Sequence, residues 1–383
     1  MRFAVDAHAI GRHLTGNEVY IRSLLRGFAD LDQESDFVTY LSVMQAEASM
    51  PARFSVRRVA ANPFLRLGCD LAQQLRRDRP DLIHVQYTAP LACPVPVVVT
   101  VHDVSFLERP DYFQLTRAAQ LRWSVKRTVQ RAARILTVSE FSRSAIARAY
   151  GLDEGNIVVV PNAAAEGFVP VNRAAAANKV HGAFGLTAPF IFSVGDLQPR
   201  KNHIGMIAAF RDLIREIPNL PHTLVIAGKE TWFSPRVHEA ARQSGVADRI
   251  RFLGYVSDDD LLQLYNACEL FCFPSYYEGF GLPVVEAMAC GRAVVCSNTS
   301  AVPEVADGAA LLFDPYQPRE IARAMADIIR NPELRTRQER LSLQRATHFS
   351  WRQSARKTLD VYYEVAERTQ ARAKSVQAVT LLR

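Results

Sequence analysis

The stretch Glu278-Gly279-Phe280-Gly281-Leu282-Pro283-Val284-Val285-Glu286 sets two carboxylates eight positions apart across a glycine-containing turn and a proline-started helix. Glycine has no Cβ, so it lets a backbone turn tightly and come close to a ligand. Proline suits the first turn of a helix, where its missing N–H costs nothing. On this reading the unpaired N–H groups of that turn and the positive end of the helix dipole point into the space the loop surrounds. Glu286 lies one turn inside, its Cα–Cβ bond tilted back toward the same end, and Glu278 hangs from the strand end before the loop. Ionised carboxylates accept hydrogen bonds from hydroxyls, and amides donate to oxygens. The combination suits a polyhydroxylated ligand, a sugar or a sugar nucleotide. The bland alternative is a surface loop with two solvated glutamates. The flanks oppose it: Leu270 to Pro274 is an apolar run entering the loop, and Ala293 to Cys296 reads as the next strand.

A second cluster is Ser193-Val194-Gly195-Asp196-Leu197-Gln198-Pro199-Arg200-Lys201-Asn202. Gly195 ends a strand, Pro199 stiffens the loop, and Arg200 and Lys201 open a helix. Cations at a helix start oppose the dipole, so a purely structural role is disfavoured. A guanidinium fork beside a compact ammonium can neutralise a diphosphate whose charge grows as a bond to it breaks. In the first half, His102 and Asp103 close the apolar run Val95 to Val101, where active sites of α/β sheets form. Alone, such a pair is more often a capping arrangement than a catalyst; its place at the expected cleft is what promotes it. Gly16 and Asn17 follow the first strand and begin a helix; they suit close approach to a phosphate or an acceptor, or a plain cap. Ser257-Asp258-Asp259-Asp260 reads as an N-cap with dipole-matched charge rather than a metal site.

These residues hang on a regular frame. Apolar runs at Phe3 to Ala7, Phe37 to Leu41, Leu82 to Gln86, Val95 to Val101, Ile135 to Val138 and Ile157 to Val160 alternate with helical patterns. The alternation resumes at Phe190 to Val194, Thr223 to Ala227, Ile250 to Leu253, Leu270 to Phe273, Ala293 to Cys296 and Ala310 to Phe313. Between them, Asn202 to Arg215, Asp258 to Asn266 and Pro318 to Arg330 read as helices. Such alternation predicts an α/β protein of two Rossmann-like, doubly wound parallel-sheet domains, with ligands expected in an interdomain cleft. The turn-rich stretch Pro170 to Pro189 sets the expected boundary: an N-terminal domain over 1–183, a C-terminal one over 184–355 and a closing helix over 356–383.

The 383 residues suit two cores. No apolar run approaches the ~20 residues of a membrane span, and a charge at Arg2 and another at Asp6 argue against a signal peptide. Six cysteines without C-x-x-C spacing fit reduced thiols and a cytoplasmic setting. The net charge is +7 and uneven: residues 1–183 hold 22 basic and 17 acidic side chains. No acid lies between Asp111 and Glu140, whereas Arg117, Arg122, Lys126, Arg127, Arg131 and Arg134 share a helical stretch. That face attracts an anionic lipid surface or a diphosphate, if it is not simply a solvated helix face. No nucleic-acid motif accompanies it.

The chain resembles the retaining family 4 of glycosyltransferases, of GT-B architecture, from Met1 to about Tyr363. Glu278 to Glu286 is similar to that family's E-x7-E signature, and Val302-Pro303-Glu304-Val305 to the segment usual after it. The resemblance sets Glu278 against the donor sugar, Glu286 against the ribose hydroxyls, and the backbone of Gly279, Phe280, Gly281 and Leu282 around the sugar. Arg200 and Lys201 match its diphosphate ligands, His102, accompanied by Asp103, the histidine bordering the transferred sugar, and Gly16 and Asn17 its loop after the first strand. The chain departs from the common pattern in carrying Asp196 where many members have arginine, and Ala163-Ala164 after the Pro161-Asn162 turn.

Gly195 to Asn202 and Val101 to Phe106 most resemble the bacterial mannosyl- and rhamnosyltransferase branch. That resemblance implies a metal-independent transfer from a nucleotide sugar, GDP-mannose first, to a saccharide acceptor carried on polyprenyl diphosphate, in surface polysaccharide biosynthesis. No cofactor is implied. Peripheral contact with the inner face of the membrane would run through the basic helix 117–134. The alternatives are a rhamnosyl-, glucosyl- or GlcNAc-transferase of the same family, a sugar-nucleotide epimerase or phosphorylase on the same fold, and a non-catalytic sugar-nucleotide-binding subunit.

Overall fold

The structure is a computed structural model that describes residues 1–12, 15–187 and 189–381. It divides into two compact units: Met1–Asn162 with the chain from Ser350 onward, and Ala163–Phe349.

In the first unit the strands are β1 (Arg2–Asp6), β2 (Asp36–Leu41), β3 (Ser55–Arg58), β4 (Leu82–Gln86), β5 (Val97–Thr100), β6 (Arg134–Thr137) and β7 (Ile157–Val159). They form one sheet in the order β3-β2-β1-β4-β5-β6-β7, every neighbouring pair parallel. The second unit holds β8 (Phe190–Val194), β9 (Thr223–Ala227), β10 (Ile250–Gly254), β11 (Leu270–Phe273), β12 (Ala293–Ser297) and β13 (Leu311–Phe313). Their order is β10-β9-β8-β11-β12-β13, again all parallel. Both are doubly wound sheets whose strand order reverses once, between β1 and β4 and between β8 and β11. Loops diverge at such a reversal and leave a crevice at the strands' carboxyl ends.

Parallel sheets need helices on both faces, which explains the near-continuous apolar runs of strands such as β11 and β12, buried along their whole length. In the second unit Met206, Phe210 and Leu213 of the His203–Glu216 helix and Ile321, Met325 and Ile328 of the Pro318–Arg330 helix recur every three or four positions. They close on Ile191, Leu224, Leu270 and Val295 of the sheet. Each such side chain contributes about 1.5–3 kcal/mol by leaving water. In the first unit the Trp351–Leu381 helix packs on the Thr15–Leu31 helix. Their approach requires Gly27, where a Cβ would sit 2.5 Å from that of Ala355. Tyr362 anchors it, buried, with its hydroxyl 2.5 Å from His84 Nδ1.

The structure departs from the sequence reading in four places. The basic helix expected over 117–134 ends at Val129, and Arg134 instead opens β6 and pairs with Glu364 at 2.6 Å. Strand β3 has no apolar run to announce it: it is Ser-Val-Arg-Arg on the sheet edge, and none of its residues is fully buried. No helix joins β4 to β5; residues 87–96 cross as a loop. The boundary expected near 183 falls inside the Arg173–Phe184 helix. That helix packs on Asp258–Ala267, and Asn266 ties the segment before it down, accepting from Val171 N and donating to Val169 O. Residues from Ala163 therefore belong to the second unit, and the closing helix joins the first from Ser350 rather than 356.

Candidate active site

In the second unit the two loops that carry the sequence signals follow β8 and β11, the neighbours that flank the reversal. Asn202 clamps them together. Held at φ 54°, it accepts from Gly205 N through Oδ1 and donates from Nδ2 to Pro274 O and Pro315 O. Gly205 has to be glycine, since a Cβ there would lie 2.3 Å from Asn202 Oδ1. Tyr276 N donates to Arg200 O at 2.8 Å, so the backbone after β11 is registered on the basic pair.

The side chains then converge. Arg200 donates to Glu278 Oε2 at 2.8 Å and to Tyr277 O at 3.3 Å; Lys201 Nζ donates to Glu278 Oε1 at 2.7 Å. Lys201 and Glu278 are buried, at 8% and 7% exposure, with the ammonium 5.0 Å from the centre of the Phe273 ring. Burial alone would raise the Glu278 carboxyl, but Arg200 and Lys201 outweigh it and hold it at about 2. Lys201 is lowered by burial and by Arg200, against the pull of Glu278. Two cations against one carboxylate leave the cluster a net positive charge suited to an anion.

Gly281, at φ 107°, caps the Leu282–Ala289 helix, and Phe280 packs edge-on against Phe349 at 5.4 Å. Glu286 is buried inside that helix and accepts from Tyr265 at 2.9 Å. Burial pushes its carboxyl up to about 7, Asp258 adding and the Tyr265 hydroxyl opposing. Gly279 and Leu282 complete the loop. Asp196 accepts from Lys229 N at 3.2 Å and so braces the loop after β9. The Ser257 cap is as read: its hydroxyl accepts from Asp260 N.

In the first unit Asn17, Gln86 and His102 meet at the carboxyl ends of β1, β4 and β5. His102 Nε2 hydrogen-bonds Gln86 Oε1 at 2.8 Å, and Gln86 Nε2 donates to Asn17 O at 3.2 Å. Burial lowers the His102 ring to about 4, with Asp103 opposing; the imidazole is neutral at physiological pH. The Asp103 carboxylate accepts from Ser105 N at 2.9 Å and Ser105 Oγ at 2.6 Å, the capping geometry of the alternative reading. Gly16 is exposed in the first turn of the Thr15–Leu31 helix, with nothing within 4 Å of where a Cβ would stand.

Residues 177–364 match the family model described as glycosyl transferases group 1, and residues 14–165 the one described as glycosyltransferase family 4. The O-antigen chain mannosyltransferase B of Escherichia coli is 32% identical over 69% of each chain. The chain belongs to glycosyltransferase family 4. Within that family it falls with the bacterial mannosyltransferases: the serotype-specific mannosyltransferase WbdA of Escherichia coli is 25% identical over 94% of this chain. The alignment spans about half of that relative, 47% of its length. Among solved structures, HepE of Anabaena in complex with UDP-glucose superposes with a TM-score of 0.74 at 19% identity, covering 95% of this chain and 99% of its own. The fold is thus the GT-B arrangement of two Rossmann-like sheets.

Against the family pattern, the supporting residues are the ones the sequence reading missed. Ser300 Oγ accepts from Glu278 N, and Thr299 Oγ1 donates to Tyr276 O, so the turn after β12 braces the loop that carries Glu278. Neither has a sequence signal beyond following a strand. Tyr265 lies 21 positions from Glu286 and Gln86 lies 16 from His102; only the sheet and helix packing brings these pairs together.

Proposed function

We propose that this family 4 glycosyltransferase moves a sugar from a nucleoside diphosphate donor to a hydroxyl of a saccharide acceptor, retaining anomeric configuration and needing no metal. The observation that carries the reading is the buried Arg200–Glu278–Lys201 cluster at the reversal point of the second sheet. As the bond from the sugar's anomeric carbon to the phosphate oxygen breaks, negative charge grows on the diphosphate, and fixed cations stabilise it. The acceptor oxygen bonds to the same face of that carbon and gives its proton to the departing phosphate oxygen. Glu278 orients the sugar and keeps the cations in place; His102 offers a neutral hydrogen-bonding ring and Asp103 fixes the backbone beside it. Gly16 and Asn17 border the acceptor, and Gly279 to Leu282 line the sugar. Mannose, from GDP-mannose, is the first choice of donor because the relatives named above are mannosyltransferases. The acceptor is read as a lipid-linked chain in polysaccharide synthesis, as the name of the O-antigen relative suggests. A thermal-shift panel of GDP-, UDP-, dTDP- and ADP-sugars, followed by donor turnover with and without a saccharide acceptor, tests this. The largest stabilisation is expected from GDP-mannose; stabilisation by another sugar nucleotide alone would reassign the donor.

Glu286 gives the reading a pH signature. Only the ionised carboxylate accepts from both ribose hydroxyls, and its ionisation falls near pH 7. The carboxylate is therefore mostly protonated at pH 6 and mostly ionised at pH 8. The donor KM is expected to fall about tenfold over that interval, and the fall to vanish in Glu286→Gln. A flat wild-type profile would detach Glu286 from the ribose.

Among the described residues no helix is long and apolar enough to cross a membrane. Peripheral contact is a separate part of the proposal. The Leu115–Val129 helix exposes Leu115 (84%) and Trp123 (60%) beside Arg122 and Lys126. Arg127 reaches across to the carbonyls of Pro90 and Leu91, and Leu91 N donates to Leu67 O, so exposed Leu91, Phe64 and Leu65 continue the same surface. An apolar ridge edged by cations fits an anionic bilayer. Sedimentation with phosphatidylglycerol vesicles, but not phosphatidylcholine ones, is expected, and Leu115→Ala/Trp123→Ala is expected to lower it about tenfold. Equal recovery with both vesicle types would remove the electrostatic part of the case.

A further inference from the structure

His102 is held by a neutral amide, and that decides more than its position. Gln86 Nε2 meets Asn17 O, which can only accept a hydrogen bond. The amide nitrogen must therefore face Asn17, and Gln86 turns its oxygen to the imidazole, 2.8 Å from Nε2. An amide oxygen also only accepts, so the proton of the neutral ring resides on Nε2 and Nδ1 carries a bare lone pair. Among the described residues, two further contacts leave this hydrogen bond uncontested. Tyr20 presents its ring at 4.7 Å and 90°, and its hydroxyl is already engaged with Thr100 Oγ1. Ser142 donates to the His102 carbonyl and so fixes the backbone rather than the ring.

We propose that Gln86 is a positioning residue that sets the tautomer of His102, presenting Nδ1 as a hydrogen-bond acceptor to a sugar hydroxyl and tying it to the start of the Thr15–Leu31 helix through Asn17. The role of Nδ1 rests on the reading of His102 given above; the tautomer does not. A carboxylate at position 86 would instead favour the imidazolium, which has no lone pair to offer. Among the described residues, the remaining titratable groups facing the ring are Asp103 beside it, His84 on β4, Tyr20 from the Thr15–Leu31 helix and Tyr87, whose ring centre is 5.6 Å away. None of them changes when Gln86 is replaced.

The test uses the full chain with 15N-labelled histidine, the His102 signals being identified by their loss in His102→Ala. In the unliganded protein they are expected to show the Nε2–H form and to stay neutral to below pH 6. In Gln86→Leu a mixture of tautomers is expected. In Gln86→Glu the titration is expected to move up by about 1–3 pH units. Turnover at pH 7 should fall about 10²-fold in Gln86→Leu with little change in donor KM, and in Gln86→Glu activity should recover as pH rises above the new titration point. An Nδ1–H signal in the wild type, or signals unmoved in both variants, would overturn the inference. Tautomers that shift as expected while turnover stays unchanged would leave Gln86 as the tautomer-setting residue and overturn the assigned use of Nδ1, and with it the reading of His102.

Discussion

Replacing Lys201 with alanine is expected to lower kcat about 10²–10³-fold, the usual cost of removing one fixed donor from a developing oxyanion, while leaving the fold intact. The asymmetry stems from the cluster. Lys201 is buried and hydrogen-bonded to Glu278, but Arg200 holds the other oxygen of the same carboxylate, so its removal strands no charge. The substitution takes away a cation whose stabilisation is realised as the diphosphate departs. Lys201→Arg is not a conservative alternative: it replaces a buried, compact ammonium bonded to Glu278 Oε1 with a longer planar fork. Steady-state kinetics with saturating donor, beside circular dichroism and thermal melts of the same preparation, separate the two effects. Near-wild-type kcat in a folded Lys201→Ala protein would remove electrophilic assistance by this residue.

The parts of this protein legible in its sequence are those where one physical rule acts alone. Strands β4, β8, β9 and β11 carry the boundaries that their mostly apolar runs predict, because strands buried on both faces favour apolar side chains; the polar residues of β4, His84 and Gln86, are held by hydrogen bonds. Glu278, Arg200 and Lys201 stand out because glycine, proline and like charges at a helix start are locally costly and need a reason. Legibility fails where the cause lies far along the chain. β3 is a strand because β2 offers it a partner, not because Ser55–Arg58 prefers extension. Asn202 reads only as the first residue of a helical segment in sequence, and the folded chain shows it capping that helix and clamping Pro274 and Pro315. Asp103 stands beside His102 at a strand end in sequence, and only the folded chain shows its carboxylate accepting from Ser105 N and Oγ. The ionisation of Glu286 near pH 7 is invisible in the signature itself, since it arises from burial.

The opposite substitution in the same cluster should fail in the opposite way. Glu278→Ala removes the carboxylate ion-paired with both Arg200 and Lys201 and leaves adjacent cations in a largely buried loop, a loss of about 3–5 kcal/mol for breaking a buried pair from one side. The pH dependence has a defined sign. The folded-state carboxyl is held at about 2, below the ~4.3 of an unfolded glutamate. Its stabilisation is therefore fully present above that unfolded value and disappears as pH falls through the folded one. The difference in melting temperature between wild type and Glu278→Ala should be widest at neutral pH and narrow progressively below about pH 4. Pyrophosphate supplies the missing negative charge, so it should raise the melting temperature of Glu278→Ala more than that of the wild type, where it must share the cations with a carboxylate. Glu278→Gln keeps the shape without the charge and is expected to fall between the two. A variant that melts with the wild type at neutral pH, or that pyrophosphate leaves unmoved, would mean that the two cations do not form the anion seat on which the proposed transfer depends.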